Sequence, residues 1–413
     1  MVLPMAEVLQ IGRDLAADRE PWERRVDLVS AGELLQLIRT GAATTRADLR
    51  RITGLSRTAI VNRVTALADA GLLLLGAELA STGGRPPGSL VFNTDAGVIL
   101  AAAIGRSRSQ VAAFDLAGTE LASSEVDQEI GAGPEEVMPV VADQLAALIG
   151  RDSPPVLGIA ISLPGVVDPA RGASIDTPVL PGWNDVPLAP YLSRVSDAPL
   201  FLANDADALA RSEYLGHARA GEGLRDLLVV KASTGIGLGV MADRNIVPGS
   251  RGGAGDLGHA KVAEGAGRPC RCGDTGCLET VAAGWALVAR LQAEGREVGH
   301  VRDLVGHALG GDAEAKQLLR ESGRQLGELL AVAINLLNPQ AVVLGGDMAG
   351  VYDVYAAGVR EAVYARASAF ATRELQILPA TYGDRAGLVG CAALALKRVL
   401  SPAAVDARVA VAT

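Results

Sequence analysis

The chain has 413 residues, 49% of them hydrophobic and 21% charged, with a formal net charge of −9 at pH 7. That length suits two or three domains, and with only 3% aromatic residues the core must be filled by Ala, Val and Leu. The acidic balance excludes a chain that coats nucleic acid over its whole surface, although not a small basic module, and no apolar run reaches membrane-spanning length.

The first 25 residues are mixed, contain acidic side chains and lack a continuous apolar stretch, so a frayed helical extension is expected rather than a secretory signal. From residue 26 to 93 the pattern is that of three helices and a hairpin. Ser30 caps the first, with Leu34, Leu35, Leu37 and Ile38 on one face. Thr44 or Thr45 caps the second, which stops at Gly54. Ser56 caps the third, with Ile60, Val64 and Leu67 inward and Gly71 at its end. The short T-G-L turn between the second and third is helix-turn-helix spacing, and the strand-like runs 72–75 and 89–92 flank a Gly/Pro-rich tip. This reads as a winged helix-turn-helix, the alternative being a helical module for protein contact alone.

The third helix presents Ser56, Arg57, Thr58, Asn62 and Arg63 away from its apolar face, a donor-rich set for phosphates and base edges. Arg85, between glycine and proline at the wing tip, has the shape to enter a narrow minor groove. From Arg24 to Phe92 there are nine arginines against five acidic residues, a local net of +4 inside an acidic protein.

Beyond residue 93 the period changes. Runs 98–104, 110–115 and 119–126 form a meander, followed by a helix (133–149), a buried strand (156–163) and a proline-rich loop containing Trp183, which either walls a pocket or packs. The run 200–203 delivers Asn204 and Asp205 at the carboxyl end of a strand, where open α/β sheets place ligand groups; an Asn-Asp helix cap is the plainer alternative. A second copy of the unit fits the rest: strand 227–232, the turn S-T-G-I-G-L-G, a strand to Met241, helices, and strand 341–344. The expected domains are therefore 94–206, completed by a C-terminal helix at 384–400, and 207–383.

Cys270, Cys272 and Cys277 fall within eight residues, with His259 just upstream. Three thiolates and an imidazole make a closed tetrahedral set for a structural Zn²⁺. The alternatives are inert thiols or a disulfide, but a Cys-x-Cys bridge is strained, and so few cysteines, most of them clustered, point to the reducing cytoplasm. Asp256 and Glu279 are carboxylates that the metal does not need; they either bind hydroxyls of a ligand or support the loop.

The segment Gly255–Glu279 resembles the signature of the ROK family of repressors, open reading frames and sugar kinases, roughly E-x-G-H then C-x-C-G-x-x-G-C-L-E, with Asp256 where the family has Glu. The T-G-G-R wing is similar to that of ROK repressors. The resemblance implies a two-lobed α/β fold of the actin/Hsp70/hexokinase (ribonuclease-H-like) type behind the winged module. It further implies that Asn204, Asp205, Asp256, His259 and Glu279 contact a sugar, His259 serving the zinc as well. ROK kinases carry Asp-x-Gly-Gly/Ala-Thr at the first hairpin; this chain reads Ala103-Ile104-Gly105-Arg106-Ser107, although Thr234-Gly235-Ile236-Gly237 and Gly345-Gly346 match the second phosphate turn and the adenosine turn. Ala103 has no oxygen for a hydrated Mg²⁺, so Asp205 is expected to be a vestigial base. The expectation is a sugar-responsive regulator that binds duplex operator DNA, with a sugar or sugar-phosphate effector and a homodimer or homotetramer as its assembly. A sugar kinase carrying a DNA-binding module and a scaffold with an idle cleft are the alternatives.

Overall fold

The structure is a computed structural model that describes residues 29–78, 88–129, 131–176, 180–219, 221 and 223–412. The N-terminal extension and the wing tip with Arg85 lie outside the described residues.

Helices Ala31–Arg39, Arg46–Thr53 and Arg57–Asp69 start where capping chemistry starts them. Ser30 with Glu33, and Thr45 with Asp48, form reciprocal capping boxes, and the Ser56 side chain accepts from Ala59 N. Gly54 ends the second helix at φ +73°, a left-handed cap that glycine takes without strain. Leu34, Leu35, Leu49, Val64 and Leu67 are fully buried where the three helices meet. Strands β1 (Leu73–Glu78) and β2 (Gly88–Phe92) pair antiparallel beside them.

The remainder is built twice on one plan. In the first sheet, β3 (Val98–Ile104), β4 (Arg108–Phe114) and β5 (Glu120–Asp127) form the antiparallel meander. Strand β6 (Val156–Leu163) adds parallel to β3. The proline-rich stretch is not all loop: β7 (Val166–Asp168), β8 (Ala173–Asp176) and β9 (Val186–Pro187) form a small separate sheet, a non-local pairing that the proline content conceals. Strand β10 (Leu200–Asn204) completes the first sheet parallel to β6. In the second sheet, β11 (Leu227–Ala232), β12 (Ile236–Ala242) and β13 (Asn245–Ile246) form the meander, and β14 (Ala341–Gly345) and β15 (Gln376–Pro379) add in parallel. The orders β10-β6-β3-β4-β5 and β15-β14-β11-β12-β13 are equivalent.

Helix Ala386–Val399 packs on β3 and β6 and against helix Asp205–Arg219. A Cβ on Gly390 would lie 1.9 Å from the Ala208 carbonyl oxygen, so only glycine permits that approach. A further helix, Pro402–Ala412, lies beyond the last element expected from sequence and returns to the N-terminal module. Asp406 Oδ1 accepts from Gly32 N at 2.8 Å, and Gln36 Nε2 donates to the Leu400 carbonyl at 2.6 Å. Val405 and Val409 are buried in one continuous core with Leu34, Leu35 and Leu67. A Cβ on Gly32 would meet the Pro402 carbonyl oxygen at 2.3 Å, so the two helices are in backbone contact. No single helix among the described residues is long and apolar enough to cross a membrane.

Candidate metal centre and interlobe cleft

The ligand atoms of His259, Cys270, Cys272 and Cys277 lie within 4.8 Å of one another. Cys272 Sγ and Cys277 Sγ are 3.7 Å apart, and Cys270 Sγ is 3.6 Å from His259 Nδ1. A tetrahedral Zn²⁺ with sulfur at about 2.3 Å sets ligand–ligand edges near 3.8 Å, so the donor set fits that ion. Gly273 and Gly276, at φ +90° and +82°, turn the chain back to bring the sulfurs together. Burial pushes the Cys270 thiol up to about 12; the Cys272 backbone N–H opposes the shift, while the side chains of Cys272 and Cys277 add to it. A bound cation would make the thiolate form favourable there. Lys261 Nζ, 3.2 Å from Cys277 Sγ, adds positive charge beside the sulfurs.

His259 turns Nδ1 to the cysteines and Nε2 towards Asp256 Oδ1, 4.0 Å away, so one edge remains for the cleft. Glu279 is buried: Oε1 accepts from Ile236 N at 2.7 Å and Oε2 from Trp285 Nε1 at 3.2 Å. Each oxygen retains a lone pair, but the carboxylate's first task is to hold the turn before β12. Asn204 is similarly engaged, Oδ1 accepting from Ala206 N at 2.8 Å and Nδ2 donating to the Gly165 carbonyl at 2.9 Å. It caps the following helix and thereby aims Asp205 into the cleft. Trp183 is buried, its indole N–H donating to the Ala132 carbonyl at 3.0 Å; it packs and does not line the cleft.

A cavity of about 830 Å³ runs between the lobes and is lined by Asn204, Asp205, Asp256, His259 and Glu279 together with all three nucleotide-type turns. The structure thus gathers the five sugar-site candidates, and it adds two residues that the sequence did not single out. Lys231, the polar residue near the end of apolar β11, forms an ion pair with Asp205 Oδ2. A lysine closing the run L-L-V-V-K-A just before the S-T-G turn was a visible signal. His300, distant in sequence, left none. Its Nδ1 accepts from Arg302 N at 3.1 Å, so the neutral ring carries its proton on Nε2. That nitrogen lies 3.4 Å from both Ser107 Oγ and Thr234 Oγ1, bridging the β3–β4 and β11–β12 turns. Burial, then the Arg302 charge, lowers its pKa and favours the neutral form.

The first turn is closed without glycine-rich backbone. Gly105 N donates to the Arg108 carbonyl at 2.8 Å, and Gln128 Nε2 donates to the Gly105 carbonyl at 2.8 Å. Ala103 packs towards Gly387, where a Cβ would come within 2.9 Å of its own. In the N-terminal module, Ser56, Arg57, Thr58 and Asn62 are exposed on one helix start, while Arg63 is half-buried and its Nη1 folds back to the Ala59 carbonyl at 3.3 Å. Ser56 spends its hydroxyl on the cap.

The ROK family model matches residues 99–398. A xylose repressor of Bacillus spizizenii is 28% identical over 370 residues, covering 89% of this chain and 94% of the relative. An N-acetylmannosamine kinase of Citrobacter koseri is 32% identical over 292 residues, covering 97% of itself but only 68% of this chain. Among solved structures, a ROK family transcriptional regulator described as a homologue of the E. coli MLC protein superposes with a TM-score of 0.75 at 26% identity, over 92% of this chain and 98% of its own. The kinase match covers 68% of this chain, whereas the regulator matches extend over 89% and 92% of it. The chain belongs to the ROK family.

Proposed function

We propose that the chain is a DNA-binding transcriptional regulator, a repressor, whose cleft binds a sugar effector. The observation that carries this reading is the helical path out of the cleft. Ala386 and Gly387 line the cavity at the start of helix Ala386–Val399, and the next helix, Pro402–Ala412, is built into the core of the N-terminal module. A change in lobe angle therefore reaches the module through packed backbone rather than through a loose linker.

The N-terminal unit is a winged helix-turn-helix, with Arg57, Thr58 and Asn62 as the groove-facing donors, Ser56 and Arg63 flanking them, and Arg85 as the wing's minor-groove contact. Likeness to xylose repressors over nearly the whole chain supports repression and a sugar ligand. Asn204, Asp205, Asp256, His259 and Glu279 form the sugar subsite. The four-residue cluster holds a structural Zn²⁺ that keeps His259 oriented and, through Glu279, fixes the turn before β12. ATP chemistry is lost: Ala103 supplies no magnesium ligand, and Lys231 occupies an oxygen of the residue that would take the hydroxyl proton. The protein works in the cytoplasm as a homodimer or homotetramer. Asn335 Oδ1 accepts from Ser368 N at 2.9 Å, joining the helix ends that expose Leu336 and Phe370, an apolar face suited to self-association. Half-sites spaced by helical turns make binding of two modules sensitive to small changes in their angle.

The test is fluorescence anisotropy with DNA fragments selected by the purified full chain, run with and without a sugar panel, beside a chain ending at Leu400. The full chain is expected to bind DNA with an affinity that the effector shifts, and the shortened chain to lose that shift. Brisk ADP release on a monosaccharide, or indifference to DNA at moderate salt, would overturn the reading in favour of a kinase.

A further inference from the structure

Cys272 differs from the other cysteines of the chain. Cys270, Cys277 and Cys391 are buried, whereas Cys272 is only half-buried and lines the interlobe cavity beside His259 and Asp274. Its exposure follows from its place on a tight turn. Gly273 N donates to the Cys270 carbonyl at 3.1 Å and Cys270 N to the Asp274 carbonyl at 2.7 Å, which leaves Arg271 and Cys272 at the tip. The chain then returns through Gly273 and Gly276, both in the left-handed region, and brings Cys272 Sγ to 3.7 Å from Cys277 Sγ.

That pair is the one in the cluster placed to bond. Cys270 and Cys272 are separated by a single residue, and a bridge between them is strained; Cys270 Sγ instead faces His259 Nδ1 at 3.6 Å. Cys272 and Cys277 have four residues between them, and their sulfurs need only close from 3.7 Å to the disulfide length of about 2.05 Å. A metal-bound thiolate is held deprotonated, and a deprotonated sulfur open to solvent is the form that peroxides oxidise. One accessible sulfur with a second in reach is the arrangement of an attacking and a resolving cysteine.

We infer that Cys272 and Cys277 are a peroxide-reactive pair, which hydrogen peroxide entering by the cleft converts to a disulfide with loss of the metal. Cys272 Sγ attacks one peroxide oxygen; an S–O bond forms, the O–O bond breaks, and hydroxide leaves. Cys277 Sγ then attacks the Cys272 sulfenic sulfur, forming the S–S bond and expelling a second hydroxide. Two thiolates give up two electrons, the peroxide accepts them, and solvent protons turn both hydroxides into water. Two of the four donors are then gone, so His259 loses its orientation and the chain at Glu279, two residues beyond Cys277, loses its anchor. Oxidation thereby loosens the turn that Glu279 holds through Ile236 N. The inference goes beyond the sugar-responsive reading and rests on the cluster as a Zn²⁺ site.

The experiment treats the zinc-loaded full chain with graded hydrogen peroxide. Released zinc is followed with a chromogenic chelator, and the cysteines are mapped by alkylation and peptide mass spectrometry. Zinc release should keep pace with a Cys272–Cys277 disulfide and run about tenfold or more ahead of oxidation at buried Cys391. The melting temperature should fall as zinc leaves and recover with dithiothreitol and added zinc, and Cys391→Ser should behave as the parent does. Zinc retained at peroxide levels that oxidise Cys391 would overturn the inference, as would release accompanied by sulfinic acids or by a different cysteine pair. A purified chain that takes up no zinc would remove the metal reading, and the mapped Cys272–Cys277 bond would then decide the inference by itself.

Discussion

The turn between β3 and β4 and the turn between β11 and β12 occupy equivalent places in two copies of one sheet plan, yet they do opposite things. The second keeps Thr234-Gly235-Ile236-Gly237, where the position of a Cβ on Gly235 lies 2.6 Å from Glu279 Oε1, so backbone and a buried carboxylate are in direct contact. The first carries Arg106, whose side chain lines the interlobe cavity. A duplicated fold fixes where the two turns meet, but not their chemistry. One turn sets backbone against a buried carboxylate, while the other carries a charged side chain into the cavity.

The second turn is braced by the Cys/His loop, because Glu279 follows Cys277 by two residues and accepts from Ile236 N. Cys277→Ser tests that bracing and has the largest expected effect. The protein should lose bound zinc by elemental analysis, and its melting temperature should fall by about 5 °C or more. Unchanged melting with zinc lost would separate the metal from the stability of this lobe.

Making the first turn more like the second is the next test. Ala103→Asp combined with Arg106→Gly and Lys231→Ala restores a magnesium ligand, opens the phosphate space and frees Asp205. ADP release with glucose should rise by about tenfold or more over the parent chain, which should be on the order of a thousandfold below a working kinase. No gain would mean that the lobes no longer close as a kinase's do.

The smallest effect concerns the contact that joins the two turns. The folded-state pKa of His300 is lowered, so its contribution is fully present above the unfolded value near 6.5 and is lost as pH falls from there towards the folded value. Between about pH 7.5 and 5.5 the parent chain should lose about 1–2 °C more in melting temperature than His300→Gln. Equal losses would remove His300 from the account.

Much of this molecule was legible in one dimension. Local rules determined the capped helices at Ser30, Thr45 and Ser56, the alternation of strands, and the Cys/His cluster, because each depends on spacing within a few residues. The repeated meander was legible too, since hairpins pair neighbours in the chain. The strands β7–β9 were not, because their pairing outweighs proline-rich composition. The Lys231–Asp205 pair, the His300 bridge and the Pro402–Ala412 helix packed on Ala31–Arg39 were decided only in three dimensions. Each joins residues far apart in sequence, and their meeting depends on how two sheets and a returning chain end pack, which no local pattern encodes.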